Sequence, residues 1–169
     1  KDVKITGCLP PLFSSYNPEL NNNHDEALAI YRQIVDVQKD GADILLAETL
    51  GSLLEIHAAA TAMQGCGKPV WISMSLSEDT DTPSLRSGEP LQEALDLISQ
   101  IGADAILLNC SLPETISGAM ETLQQCNVPF GAYANGFTAI QKLEMGDIVA
   151  EKFSERTDLM PTGYADFAQ

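Results

Sequence analysis

Short apolar runs alternate with longer amphipathic stretches along nearly the whole chain, and this alternation restricts the fold more tightly than any other feature. The runs cover residues 3–8, 43–48, 69–75, 104–110 and 128–135. Most are apolar at successive positions, so both faces of each strand need cover. That is the pattern of buried parallel strands, not of a half-exposed antiparallel sheet. Between them, residues 24–39, 53–63, 91–101 and 116–123 carry apolar side chains at mostly three-to-four spacing and are predicted helices. Gly41, Gly67 and Gly102 stand where a helix gives way to a strand, the place of a C′ glycine. Asp25, Glu55, Glu89 and Glu114 lie in or near first turns, where negative charge is favourable.

An internal echo supports repeated units. Asp40-Gly41-Ala42-Asp43-Ile44-Leu45-Leu46 returns as Ile101-Gly102-Ala103-Asp104-Ala105-Ile106-Leu107-Leu108. Strand starts fall about 30 residues apart on average, the size of one βα unit. Consecutive units of this kind build a parallel sheet, either doubly wound or part of a (β/α)8 barrel. No interdomain linker interrupts them. Residues 77–84, rich in Ser, Thr and Asp, read as one long loop inside a βα unit, where active-site loops are found.

Charge and composition remove several functions. The chain of 169 residues has 24 acidic and nine basic side chains, a net charge of -15. Such a surface repels phosphate backbones and anionic lipid, so neither nucleic acid nor membrane is an expected partner. No apolar run approaches the roughly 18 residues of a membrane span. With no secretion signal and only four scattered cysteines, a soluble cytoplasmic protein with free or metal-binding thiols is expected.

Parallel α/β folds carry their chemistry at the carboxyl ends of strands. Those ends read Cys8-Leu9-Pro10-Pro11, Glu48-Thr49, Ser73 to Ser75, Asn109-Cys110-Ser111 and Tyr133 to Asn135. Cys110, beside an amide at a strand end, suits a nucleophile, a soft-metal ligand or a small core residue. Glu48 closes an apolar strand and suits either a helix cap or a carboxylate that binds an ammonium group. Cys66 and Cys126 fall at the opposite end of the sheet and are expected to be ordinary thiols. His24 and His57, the only histidines, are expected to be solvated and not catalytic, which leaves a Ser-His-Asp or Cys-His arrangement poorly supported. Glycine-rich phosphate loops are absent; the one candidate anion grip is Leu85-Arg86-Ser87-Gly88-Glu89 at a helix start, which on its own reads as a turn with a cap.

Taken in order, these segments resemble the homocysteine S-methyltransferase family, which includes betaine-homocysteine enzymes and the homocysteine module of cobalamin-dependent methionine synthase. The resemblance is carried by Gly7-Cys8-Leu9-Pro10-Pro11-Leu12 with Ser15-Tyr16, and by Gly41-Ala42-Asp43 leading to Ala47-Glu48-Thr49. It continues through Lys68-Pro69-Val70-Trp71-Ile72-Ser73, the loop from Leu85 to Glu89, and Leu108-Asn109-Cys110-Ser111. Gly131-Ala132-Tyr133-Ala134-Asn135-Gly136-Phe137 and Arg156-Thr157-Asp158-Leu159, with Pro161 and Tyr164, complete it.

The resemblance implies a (β/α)8 TIM barrel that transfers a methyl group to the sulfur of homocysteine, giving methionine. It implies zinc held by three cysteines, with the substrate thiol as fourth ligand. Cys110 matches the first zinc ligand, and Glu48 the carboxylate that grips the homocysteine amino group. Asn109 and Asn135 match amides lining the substrate site. The paired cysteines that supply the other two ligands in the family have no counterpart, since no two cysteines are adjacent here.

A closed barrel needs about 250 residues. Residues 1–169 are therefore expected to be a single homocysteine-binding barrel domain truncated at both ends, comprising about strands three to seven. The expected partners are homocysteine and a small methyl donor (S-methylmethionine, betaine, S-adenosylmethionine or methylcobalamin). Open sheet edges would favour a homo-oligomer, and the isolated piece is expected to be inactive and metal-free. The alternatives are a non-catalytic binding or assembly module derived from the barrel and lacking zinc, or an unrelated doubly wound domain that binds a small anion.

Overall fold

The computed structural model describes residues 3–78, 81–139 and 154–167. Five strands form one sheet: β1 (Thr6–Leu9), β2 (Ile44–Leu50), β3 (Val70–Met74), β4 (Ala105–Asn109) and β5 (Phe130–Tyr133). Every pairing is parallel and the strands lie in chain order, β1-β2-β3-β4-β5. A doubly wound sheet reverses its direction and places a later strand beside the first. Here each strand lies beside its sequence neighbours, as in the wall of a barrel, which settles the choice the sequence left open.

Four helices fall where the periodicity put them: α1 (His24–Gln38), α2 (Leu53–Met63), α3 (Leu91–Ile101) and α4 (Pro113–Leu123). A short α5 (Pro161–Asp166) was not expected from the sequence. α4 begins three residues before the predicted start because Pro113 occupies its first turn, where a fixed φ suits the helix and no N–H is needed. Glu89 lies outside α3, whose N-cap is Pro90. The Asn23 side chain caps α1 by accepting from the Glu26 N–H at 3.3 Å.

At α2 the capping is reciprocal. Ser52 Oγ accepts from the Glu55 N–H at 3.2 Å, and Glu55 Oε2 accepts from the Gly51 N–H at 2.8 Å. α2 is also the most buried helix, with Ala58, Ala59, Ala60 and Ala62 in its packing face. Their small side chains let it sit close between α1 and α3 over a core that includes Leu45, Ile72, Met74, Ile98 and Leu108. A second close approach is made at Gly7, where a Cβ would lie 2.6 Å from Gln38 Oε1 and 2.9 Å from Leu45 Cδ2. The end of α1 thereby closes on β1, and Gln38 Nε2 donates to the Cys8 carbonyl at 3.1 Å.

The edges of the sheet are less covered. Val3 and Ile5, leading into β1, are 85% and 61% exposed, and Phe130 and Tyr133 of β5 are 38% and 49% exposed. None of the helices among the described residues is long and apolar enough to cross a membrane.

The three predicted cap glycines divide. Gly67 (φ 77°) and Gly102 (φ 98°) are left-handed, whereas Gly41 is not. Gly102 also has ψ 131°, a combination that side chains avoid. Gly102→Ala is expected to lose about 1–3 kcal/mol in urea unfolding, and Gly41→Ala to stay within about 0.5 kcal/mol of the native chain. Equal losses at both positions would contradict this assignment.

Burial holds the Glu55 carboxyl above its usual range, partly offset by its bonds from Gly51 and Ser52. An acid raised in the folded state stabilises fully only below its unfolded value of about 4.3 and loses that contribution as pH climbs through the folded value. Glu55→Gln is therefore expected to gain stability relative to the native chain between about pH 4.5 and 7.5, read as diverging urea midpoints. Midpoints that run parallel would remove the argument.

Candidate functional site

The carboxyl edge of the sheet is organised around one side chain. Asn109, the last residue of β4, is completely buried. Its Oδ1 accepts from the Thr49 N–H at 3.1 Å and from the Ser73 hydroxyl at 2.7 Å. Its Nδ2 lies 2.8 Å from Thr49 Oγ1, 3.1 Å from the Tyr133 hydroxyl and 3.2 Å from Cys110 Sγ. Two N–H groups are shared among three acceptors, and a single carboxamide reaches side chains of β2, β3 and β5 and the residue that follows β4.

These bonds hold a strained backbone. Thr49 (φ 64°), Cys110 (φ 52°) and Tyr16 (φ 66°) are the non-glycine residues of positive φ among the described residues, and all three belong to this cluster. A β-branched residue there is a true outlier, costing on the order of 1–3 kcal/mol, and persists only where its surroundings enforce it. Asn109 grips Thr49 through both backbone and side chain. The register of β2 against β3 slips between Ala47 and Leu50, an irregularity that contains Glu48 and Thr49. Such bulges re-aim side chains beside active sites.

Glu48 is half-buried. Its Oε1 accepts from the Cys8 thiol at 2.8 Å and its Oε2 from the Tyr133 hydroxyl at 3.5 Å. Burial and the Glu48 carboxylate push the Cys8 thiol up to about 12, so Cys8 serves as a protonated donor to Glu48. The Tyr133 hydroxyl is likewise pushed up to about 12, chiefly by burial.

Cys110 Sγ has donors around it. Besides the Asn109 amide, the Tyr16 hydroxyl hydrogen-bonds to it and also to the Asn135 side chain; burial, and then the bond to Cys110, raise the Tyr16 hydroxyl, while Asn135 and Arg86 oppose the rise. Over the Tyr16 ring, 5.0 Å from its centroid, lies the Arg86 guanidinium. Burial lowers the Arg86 pKa, opposed by Glu78, whose Oε1 is 3.5 Å from Nη2. Arg86 Nε donates to Ser75 Oγ at 2.8 Å, and that hydroxyl donates to the Cys110 carbonyl at 3.4 Å. The loop carrying Arg86 docks through Ser87, whose N–H and hydroxyl both donate to the Gly51 carbonyl, at 2.9 and 2.8 Å.

All four residues singled out in the sequence therefore fall in one connected cluster. Glu48 joins Tyr133, Tyr133 joins Asn109, Asn109 joins Cys110, and Tyr16 links Cys110 to Asn135. Asn109 lies beneath the sulfur with its polar atoms engaged by protein groups, whereas Asn135 remains half-exposed. Sequence reading placed Tyr16 and Arg86 in segments that carry the family resemblance but gave them no role at the site, because they lie in loops without periodicity. Tyr133 was available from the strand-end rule but was passed over for Asn135. Cys66 and Cys126 follow α2 and α4 at the far end of the sheet, as expected.

Among the described residues no group of three or more His, Cys, Asp or Glu side chains could hold a metal ion. The donor set tests the zinc expectation directly. The thiol of Cys110, half-buried and met by N–H and O–H donors, fits one soft ligand, but these residues do not close a zinc shell by themselves.

A parallel barrel wall with a thiol, a carboxylate and amides at its carboxyl edge defines an α/β enzyme scaffold. More specifically, the chain belongs to the homocysteine S-methyltransferase family, whose sequence profile matches residues 1–169. It is similar to the solved structure of the homocysteine methyltransferase MmuM from Escherichia coli, in its oxidised form. The two are 25% identical, with a TM-score of 0.65 over 79% of this chain and 48% of that one. The chain thus spans about half the length of MmuM. No curated protein matches it.

Removing the Asn109 carboxamide strands several buried groups at once. Asn109→Ala is expected to cost about 2–5 kcal/mol in urea unfolding, against under about 1 kcal/mol for the half-exposed Asn135→Ala. Comparable losses would refute the central place given to Asn109.

Proposed function

We propose that this chain carries the homocysteine-binding part of a zinc-dependent methyltransferase that converts homocysteine to methionine. The observation that carries this reading is the meeting of Cys110 and Glu48 in one cluster through Tyr133 and Asn109, within a chain of that family. Homocysteine offers an ammonium group and a thiol. Glu48 is the carboxylate for the first, and Cys110 marks the place of the second.

In this reading Cys110 is one zinc ligand and the remaining ligands lie outside the described residues. A bound zinc would deprotonate the substrate thiol, which has a free pKa of about 8.5. The residues of this chain do the positioning. Cys8 and Tyr133 hold the two oxygens of Glu48, so that the carboxylate presents a fixed face to the ammonium group. Asn109 and Ser75 fix the left-handed turn at Cys110, and Asn135 lines the site beside Tyr16. The substrate sulfur's lone pair then forms a bond to the methyl carbon as the carbon's bond to the donor heteroatom breaks. The thiol proton leaves to solvent.

The chain alone is expected to retain no stoichiometric zinc after dialysis and to show no methyl transfer. In the complete polypeptide, Cys110→Ala is expected to abolish both zinc retention and activity, and Glu48→Gln to raise KM for homocysteine at least tenfold. Activity assays with each of the four donors above, together with zinc analysis, check this. Retained activity in Cys110→Ala would overturn the ligand assignment. A complete polypeptide that takes up no zinc when zinc is supplied and shows no activity would favour the non-catalytic module.

A further inference from the structure

The two histidines of the chain, 33 residues apart, meet between α1 and α2. His24 Nε2 lies 2.5 Å from His57 Nδ1, with ring centroids 4.6 Å apart and planes inclined at 45°. Two imidazole lone pairs cannot face each other at that distance, so one ring donates its N–H to the lone pair of the other. The other nitrogen of His24, Nδ1, is 3.3 Å from Asp25 Oδ1. That carboxylate favours the proton on Nδ1 and leaves the lone pair on Nε2, aimed at His57. A carboxylate behind an imidazole is the arrangement that orients metal-binding histidines and raises their basicity.

We propose that His24 and His57 form an interhelical site for a divalent transition-metal ion of the nickel, copper and zinc group, bound through His24 Nε2 and His57 Nδ1. Imidazole nitrogen suits these ions, whereas calcium and magnesium prefer oxygen. Two such nitrogens around a tetrahedral ion at 2.0–2.1 Å stand about 3.3 Å apart. This spacing requires the two nitrogens to move apart by less than about 1 Å, and both side chains are only half-buried. Among the described residues no three-ligand group exists, so water completes the shell and the ion exchanges freely. Because only the folded chain brings α1 and α2 together, the ion clamps the two helices and stabilises the fold. This site is independent of the methyl-transfer reading, since neither histidine belongs to the cluster around Asn109.

The test is calorimetric titration and thermal unfolding of the chain with nickel chloride in a non-chelating buffer. One ion is expected per chain, with the unfolding midpoint rising about 5–10 °C at a hundredfold excess over Kd. His24→Gln and His57→Gln are each expected to weaken binding at least tenfold, and Cys110→Ser to leave it unchanged. In the native chain, affinity is expected to fall at least tenfold as pH drops from about 7.5 to 5.5, because protons compete for the imidazoles. The pH series does not depend on either variant folding. Binding that survives both histidine substitutions, affinity indifferent to pH, or no response up to millimolar nickel would overturn the proposal.

Discussion

The carboxamide of Asn109 has no solvent to fall back on, and the rest of the site depends on that. Buried at the end of β4, it meets its hydrogen-bonding needs from Thr49, Ser73, Cys110 and Tyr133, and each of those residues is fixed in return. A hydrophobic residue of the same size would pack but would leave Ser73 and the Thr49 N–H without partners in a dry interior, at a cost of about 1–3 kcal/mol each. The positive-φ conformations of Thr49 and Cys110 are thus held by bonds that are themselves costly to break. Strain and clasp support one another, and the thiol and the carboxylate keep a fixed relation.

The network also reports the curvature of the sheet. Cys8 of β1, Glu48 of β2, Ser73 of β3, Asn109 of β4 and Tyr133 of β5 join in one chain of hydrogen bonds across every strand. Tyr133 and Glu48 stand three strands apart, about 14 Å in a flat sheet. Two side chains approaching from opposite ends do not bridge that distance unless the strands wrap toward each other. The 3.5 Å contact between them is a chord across a concave wall. Sequential strand order and this chord are independent signs of the same barrel geometry.

Much of this was legible in the sequence because it depends on local periodicity. Continuous apolar runs require burial on both faces, and the strands begin within three residues of where those runs begin. The helices follow from three-to-four spacing. Gly41 failed as a left-handed cap because a glycine between helix and strand permits positive φ without requiring it. Tyr16 and Arg86 were seen only as parts of resembling segments, without a role, because loop side chains carry no period, and their meeting with Cys110 is set by how two loops cross the strand ends. His24 and His57 escaped for a related reason. Periodicity says which face of a helix is buried, but not which residue of the neighbouring helix it meets.

Charge placement gives the cluster its direction. In a chain of net charge -15, the Arg86 guanidinium is drawn inward, with its side chain only 10% exposed, to lie over Tyr16. It donates to Ser75 and keeps Glu78 close. Among the described residues, the Glu48 oxygens are met by weak neutral donors, a thiol and a phenol. Its negative charge is therefore left largely uncompensated by protein groups. A carboxylate held in place but not neutralised can attract a cation, whereas one already paired with arginine has spent that attraction. The cluster accordingly has a paired Arg86–Glu78 charge on the side of the sulfur and a carboxylate met by neutral donors on the side of β1 and β2. In the proposed function, a zwitterionic amino acid would place its ammonium at that carboxylate.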